Sequence, residues 1–374
     1  MERDQSSGSG PAHAIARRKR TVLAEPRGFC AGVVRAIAMV EKSLEIHGPP
    51  VYVRKEIVHN QYVVASLQRR GARFVDSESD VPEGAVCVFS AHGVSPLVRD
   101  NAGARGLRVI DATCPLVSRV HQHARRGARD GRLVLLIGHA DHEETQGTYG
   151  EAPDRTIVID TVDDVDRTGL PADTPVTYLT QTTLSVDETA EVIDRIKARF
   201  TDVVAPGTDT ICYASQNRQN GIKSLASRCD LILVVGARNS SNSLRMVDVA
   251  RETGTRAHLV PDAADFDETW LKDVWTVGVS SGASVPEILV ERLIDRLARL
   301  GYDDISTDVT SVEDVNFAVP SFLTTTTAAP PDLVATEATE IAHTPDTPAD
   351  RSARPDHHRP YQRQGGEDDD RRRT

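Results

Sequence analysis

Asp111-Ala112-Thr113-Cys114-Pro115 follows the short apolar run of residues 107–110 and precedes a segment of helical character. Cys114 is therefore expected at the carboxyl-terminal mouth of a strand. Two further cysteines stand in similar settings at comparable distances along the chain. Cys30 lies in Pro26-Arg27-Gly28-Phe29-Cys30-Ala31-Gly32, and Cys212 in Asp209-Thr210-Ile211-Cys212-Tyr213-Ala214. Each falls where an extended segment gives way to a helix. Open α/β sheets gather ligand groups in the loops at the carboxyl ends of their strands. The spacing predicts three α/β units that each deliver one thiol to a common point.

Outward from these loops, strand and helix patterns alternate. Apolar runs at 21–25, 51–53, 85–90, 133–137, 156–159, 176–179, 231–235, 258–260 and 276–279 read as strands. Helical spacing of apolar residues covers 33–46, a segment ending near 70, 186–200, 218–227 and a last stretch ending at 300. Such alternation predicts an α/β fold of mostly parallel sheets covered by helices. The expected boundaries are a disordered head at 1–20, a first unit at 21–114, a second at 115–208, a third at 209–295 and a disordered tail at 324–374. Both tails offer too little apolar surface to offset chain entropy.

The 374 residues carry a formal net charge of −11, which argues against a general nucleic-acid binder. The basic cluster Arg17-Arg18-Lys19-Arg20 reads as a solvated linker. No apolar run approaches the roughly 18 residues of a membrane span. No signal-type apolar stretch follows the basic cluster, so a cytoplasmic protein is expected. The five cysteines form no CxxC pair, and reduced thiols are the expectation. Cys87 lies inside an apolar strand pattern and Cys229 at a helix end, both as buried small hydrophobes. That leaves Cys30, Cys114 and Cys212.

Three soft thiolates without a fourth suit an iron–sulfur cluster with one iron left open, or a zinc site completed by water. His59, His92 and His142 stand in loops past strands or at helix starts, among small and polar residues. Asn239-Ser240-Ser241-Asn242-Ser243, Gly282-Ala283-Ser284-Val285-Pro286 and Gln181-Thr182-Thr183 occupy comparable positions. Each is an ordinary N-cap sequence or a set of neutral anion donors at a helix start. Together with imidazoles they read as a diphosphate site. The lysine-bearing loop GxxxxGK[ST] is absent, so triphosphate hydrolysis has no support. Glu144 is the natural proton handler, although spacing does not decide whether it or Glu143 points inward.

Jointly these blocks resemble the 4-hydroxy-3-methylbut-2-enyl diphosphate reductase family. The resemblance runs from about residue 21 to Pro320. It rests on residues 27–32, 57–60, 90–94, 111–115, the His142/Glu144 loop, 180–187, 210–214 and 239–243. It implies a trefoil of three α/β units around a central iron–sulfur cluster, with a C-terminal return at about 296–323 to the first unit. It further implies a [4Fe–4S] cluster held by Cys30, Cys114 and Cys212, with one iron not ligated by cysteine and open to the substrate hydroxyl. His59, His92, His142, Ser240, Asn242 and Ser284 would hold the diphosphate, with Ser241 beside them. Glu144 would relay the proton, Thr182 would assist at the hydroxyl, and Thr183 would lie close by. The implied reaction is a two-electron, two-proton removal of water that gives isopentenyl and dimethylallyl diphosphates, with ferredoxin or flavodoxin as electron donor. Two positions depart from the family pattern: Val34 stands where an Asp is usual, and Ser215-Gln216 follows Cys212 where a Thr-leading pair is commoner. The alternatives kept beside this reading are a non-catalytic iron–sulfur paralogue acting as a redox sensor and a zinc-dependent hydrolase.

Overall fold

The computed structural model describes residues 18–207 and 210–324. The expected tails lie outside those residues, apart from Arg18, Lys19, Arg20 and Thr324. Arg20 does not belong to a head: it opens strand β1 (Arg20–Glu25). The first unit then runs α1 (Ala31–His47), β2 (Val51–Arg54), α2 (Gln61–Arg69), β3 (Ala72–Val75), β4 (Val86–Phe89), α3 (Pro96–Ala104) and β5 (Arg108–Asp111). The second runs α4 (Pro115–Arg129), β6 (Leu133–Ile137), α5 (Glu143–Tyr149), β7 (Thr156–Ile159), α6 (Val162–Arg167), β8 (Val176–Thr180), α7 (Val186–Arg199) and β9 (Val203–Val204). The third runs α8 (Tyr213–Ala226), β10 (Leu231–Val235), α9 (Ser241–Glu252), β11 (Arg256–Val260), β12 (Thr276–Ser281), α10 (Glu287–Arg299) and β13 (Asp304–Val309).

Three sheets result, ordered β3-β2-β4-β5, β7-β6-β8-β9 and β11-β10-β12-β1-β13. Every strand pairing is parallel. Parallel sheets are covered on both faces, and the central strands β4, β6 and β10 are apolar at every position for that reason. In β10, Leu231, Leu233 and Val235 enter one core while Ile232 and Val234 enter another on the opposite face. The same division in β6 sends Leu135 and Ile137 one way and Val134 and Leu136 the other. Cys87 and Cys229 are buried within such cores.

Two boundaries differ from the expectation. Strand β1, placed by chain order in the first unit, sits between β12 and β13 in the third sheet. Its interior residues are all buried, and Val22 and Leu23 feed the two cores on either side of that sheet. Such a strand needs a partner on both edges, and parallel pairing lets that partner lie far away in sequence. The C-terminal return is also split. Strand β13 completes the third sheet, and only the last residues reach the first unit, where Leu323 packs with Met39 and Val40 of α1. Helix α8 begins at Tyr213, earlier than residue 218, because the polar stretch after Cys212 is its capped first turn.

Two arginines fasten the returning segment to the centre. The Arg218 guanidinium, fully buried on α8, donates to Gly28 O at 2.7 Å, Ala214 O at 2.9 Å and Glu313 Oε1 at 2.9 Å. Arg35 on α1 donates to Thr113 O and to Ala318 O, both at 3.1 Å. Removing one partner of a buried ion pair leaves an uncompensated charge, at a cost of roughly 3–5 kcal/mol. Glu313→Ala is expected to lower unfolding free energy by about 3 kcal/mol in urea titrations. Val312→Ala, at a side chain 84% exposed, should shift it by less than about 0.5 kcal/mol.

Candidate active site

The three cysteines are the N-caps of α1, α4 and α8. At each helix start the first backbone N–H groups are free, and the dipole favours negative charge. Asp111 shapes the Cys114 turn by accepting from Thr113 N at 2.9 Å and from the Thr113 hydroxyl, while Arg99 holds its other oxygen. Each cysteine's own N–H is tied to a loop of another strand: Cys114 N to Ala91 O at 3.0 Å, Cys30 N to Ala283 O at 3.1 Å, Cys212 N to Thr182 O at 3.0 Å. Those acceptor loops carry His92, Ser284 and Thr182. The three thiols and the polar loops are therefore registered to one another by main-chain bonds.

Close approach of the thiol loops depends on Gly32. A Cβ there would stand 2.7 Å from Cys114 Sγ and 3.8 Å from Cys30 Sγ. Burial pushes the Cys114 thiol up to about 12, with the nearby Cys30 adding to the shift. The same two causes push Cys212 up to about 11, against hydrogen bonds from Ser215, whose N–H lies 3.3 Å from Sγ. Buried thiols that crowd one another ionise only when positive charge joins them. Three soft donors, three helix starts and a cradle that a methyl group would fill suit an iron–sulfur group. Among the described residues, no three His, Cys, Asp or Glu side chains converge tightly enough to hold a single ion.

A cavity of about 780 Å³, counted with its open mouth, is lined by the three cysteines and by all ten other predicted site residues. His59 and His92 stack with ring centroids 4.1 Å apart, and His142 meets them edge-on at 5.6 and 5.9 Å. Ser240 caps α9 toward Ser243 N at 3.4 Å while lining the cavity, so the N-cap and cavity roles coincide. Thr183 donates to Ser241 Oγ at 3.0 Å, and Ser284 Oγ donates to His59 O at 3.1 Å. Asn242 Oδ1 is buried without a hydrogen-bond partner among the described residues.

The inward carboxylate is Glu144. It is 2% exposed, accepting from Thr182 N at 2.5 Å and Thr182 Oγ1 at 2.9 Å. Burial outweighs those bonds and raises its pKa to about 7. Glu143 instead lies 3.4 Å from His92 Nδ1.

Several site groups were missed in the sequence. Glu56 accepts from His59 Nδ1 at 3.1 Å and from Asn239 Nδ2 at 2.9 Å. Its position three residues before His59 is a spacing that could have revealed it. Glu143 and Glu56 thus back two of the imidazoles. Burial comes first in lowering the pKa of His142, to about 3, and of His92, with neighbouring imidazoles adding to it. Phe317, from the returning segment, also lines the cavity and had no legible signal. Val34 is half exposed on the outer side of α1 and does not line the cavity.

Three parallel α/β units that converge on a thiol- and imidazole-lined cavity define a class of cofactor-dependent α/β proteins. The chain belongs to the LytB protein family, whose model matches residues 21–298. It is 56% identical over 309 residues to the 4-hydroxy-3-methylbut-2-enyl diphosphate reductase of Nocardia farcinica, covering 82% of this chain and 92% of that one. It is also 56% identical over 304 residues to 4-hydroxy-3-methylbut-2-enyl diphosphate reductase 2 of Mycobacterium tuberculosis, covering 81% and 91%. The solved E-1-hydroxy-2-methyl-but-2-enyl-4-diphosphate reductase from Plasmodium falciparum superposes with a TM-score of 0.80 at 36% identity, covering 82% of this chain and 97% of that one.

A carboxyl whose pKa is raised on folding adds stability that is complete below its unfolded value near 4.5 and is lost as pH rises through about 7. Glu144→Gln removes this dependence. Its unfolding free energy relative to wild type is expected to rise between pH 5 and pH 8 by as much as about 3 kcal/mol, read by urea titration at both pH values.

Proposed function

We infer that this chain is a 4-hydroxy-3-methylbut-2-enyl diphosphate reductase, which removes the 4-hydroxyl as water and yields isopentenyl and dimethylallyl diphosphates. The observation that carries this reading is the single cavity joining three cysteine-capped helix starts, three imidazoles and a buried carboxyl near neutrality. The names of the family relatives agree with it.

Cys30, Cys114 and Cys212 would hold a [4Fe–4S] cluster with one iron free of cysteine. When bound, that cluster would pass on the two electrons delivered one at a time by the external donor and would offer a Lewis-acidic iron. The remaining chemistry belongs to side chains of this protein. His59, His92 and His142 would meet the diphosphate; burial and neighbouring imidazoles disfavour protonation of His92 and His142, and an anion supplies the counter-charge that reverses the balance. Ser240, Ser241, Asn242, Ser284 and Thr183 add neutral donors, and the start of α9 adds free N–H groups. Glu56 and Glu143 hold His59 and His92 in orientation, and Glu143 favours the charged form of His92.

Glu144 would provide the proton that makes the departing hydroxyl water, through the hydrogen bond it shares with Thr182. A pKa of about 7 leaves a usable protonated fraction at neutral pH while keeping the group acidic enough to give the proton up. Protonated Glu144 is the active form, so turnover should fall as pH rises above about 7. Val34 is half exposed and lies outside the cavity, so its departure from the family pattern leaves the cavity lining unaltered. We assign a ferredoxin or flavodoxin as the electron donor. A cytoplasmic location accords with five free thiols in a reducing compartment. No helix among the described residues is long and apolar enough to cross a membrane.

Anaerobic assay with the substrate diphosphate and reduced methyl viologen tests the reading. Wild type is expected to turn over, and Glu144→Gln to lose about 10²–10⁴-fold in kcat while its iron and sulfide content stays at the wild-type level. A wild type that binds the cluster and leaves the diphosphate unchanged would contradict the assignment.

A further inference from the structure

A second cleft lies between α4 and α8, lined by Leu116, Arg119, Val120, Cys212, Tyr213 and Gln216 among others. Leu116, Cys212 and Tyr213 also line the substrate cavity. Cys212 thus borders the cleft and the cavity alike. Both walls are helices that begin at a cysteine, Cys114 for α4 and Cys212 for α8.

The cleft is bordered by unusual charge for an acidic chain. Helix α4 carries Arg119, Arg125, Arg126 and Arg129 without an Asp or Glu, and α8 has no acidic residue either. Arg119, His123 and Arg126 follow at spacings of four and three, so they line one face of α4. Both arginines depress His123 ionisation after burial does, consistent with a continuous stripe. Arg126 is 74% exposed and only distantly paired with Asp130, at 3.8 Å. Arg119 has no ion-pair or hydrogen-bond partner among the described residues. Arg125, on the neighbouring face, is neutralised by Glu151. An apolar and aromatic centre formed by Leu116 and Tyr213, with Arg119 in its lining and Arg126 seven residues further along α4, has the composition of a protein-docking patch.

We propose that the α4 stripe and the cleft beside Cys212 form the docking surface for a small acidic electron-carrier protein. This rests on the reductase reading, which requires two electrons from outside the chain. The lining of the α4–α8 cleft includes Cys212 and none of the three imidazoles, so a carrier seated there approaches a thiol apart from the histidine wall. With a net chain charge of −11, long-range attraction of an acidic partner is weak, and the stripe supplies the local field.

The test uses the reconstituted holoenzyme with two variants, Arg119→Gln/Arg126→Gln and Arg119→Glu/Arg126→Glu. Each is assayed with a reduced acidic ferredoxin and, separately, with reduced methyl viologen. Ferredoxin binding is also measured by calorimetric titration at two salt concentrations. The Glu variant is expected to lose about tenfold or more in kcat/KM with ferredoxin, with a smaller loss for the Gln variant. Viologen-driven turnover should stay within about twofold of wild type. Wild-type ferredoxin binding should weaken with salt, and the Glu variant should lose both affinity and salt dependence. Unchanged ferredoxin kinetics and binding in the Glu variant would overturn the surface, as would equal losses with both reductants. Binding of an RNA oligomer to the stripe without binding of ferredoxin would overturn it too. Failure of wild type with viologen contradicts the reductase reading instead, while the titration still decides the surface.

Discussion

The site depends on three equivalent main-chain hydrogen bonds, from the N–H of Cys30, Cys114 and Cys212 to the carbonyls of Ala283, Ala91 and Thr182. Each joins a helix that starts at a thiol to a strand-end loop bearing a polar cavity residue. Without those bonds the thiols and the imidazole–hydroxyl wall would be set independently by three small units. With them, a shift of any unit moves one thiol and one cavity loop together. Arg35 and Arg218 extend the same logic. Each guanidinium reaches from one cysteine's helix to the carbonyl of another cysteine's loop, and both also fasten the returning segment.

Electrostatics then sets what the assembled cavity can do. Burial and neighbouring groups hold the Cys114 and Cys212 thiols and the His92 and His142 imidazoles in their neutral forms. The two sets answer to opposite charges, so a cationic inorganic group suits one wall and a diphosphate suits the other. Glu144 stands between these demands. Its burial works against ionisation and its bonds to Thr182 work for it, and the balance falls close to neutrality. Desolvation that would be a liability in a structural carboxylate is here the source of an available proton.

Much of this was legible in the chain. Cys114, Cys30 and Cys212 could be separated from Cys87 and Cys229 because the latter two interrupt no strand or helix pattern. The strands 133–137, 156–159 and 231–235 were bounded as found; in the central two, 133–137 and 231–235, burial on both faces leaves continuous apolar runs. Strand β13 escaped notice because it lies at a sheet edge with Asp304, Ser306, Thr307 and Asp308 in it, and its pairing with β1 uses backbone alone. The position of β1 was misassigned because parallel pairing does not require neighbours in sequence. Glu143 and Glu144 were indistinguishable by spacing; the turn of α5 at His142 decides between them. Nothing in the sequence marks Arg218 as buried, and only its three-dimensional partners explain its burial.

The central claim is that the three helix-capping thiols hold one iron–sulfur cluster whose uncysteinated iron faces the histidine and Glu144 wall. Mössbauer spectroscopy of the anaerobically reconstituted protein, recorded with and without the substrate diphosphate, tests it most directly. The account predicts a four-iron cluster in which one iron site differs from the other three and alone changes when the diphosphate is added. Four irons that are indistinguishable and insensitive to the diphosphate, or a metal complement without iron, would contradict it.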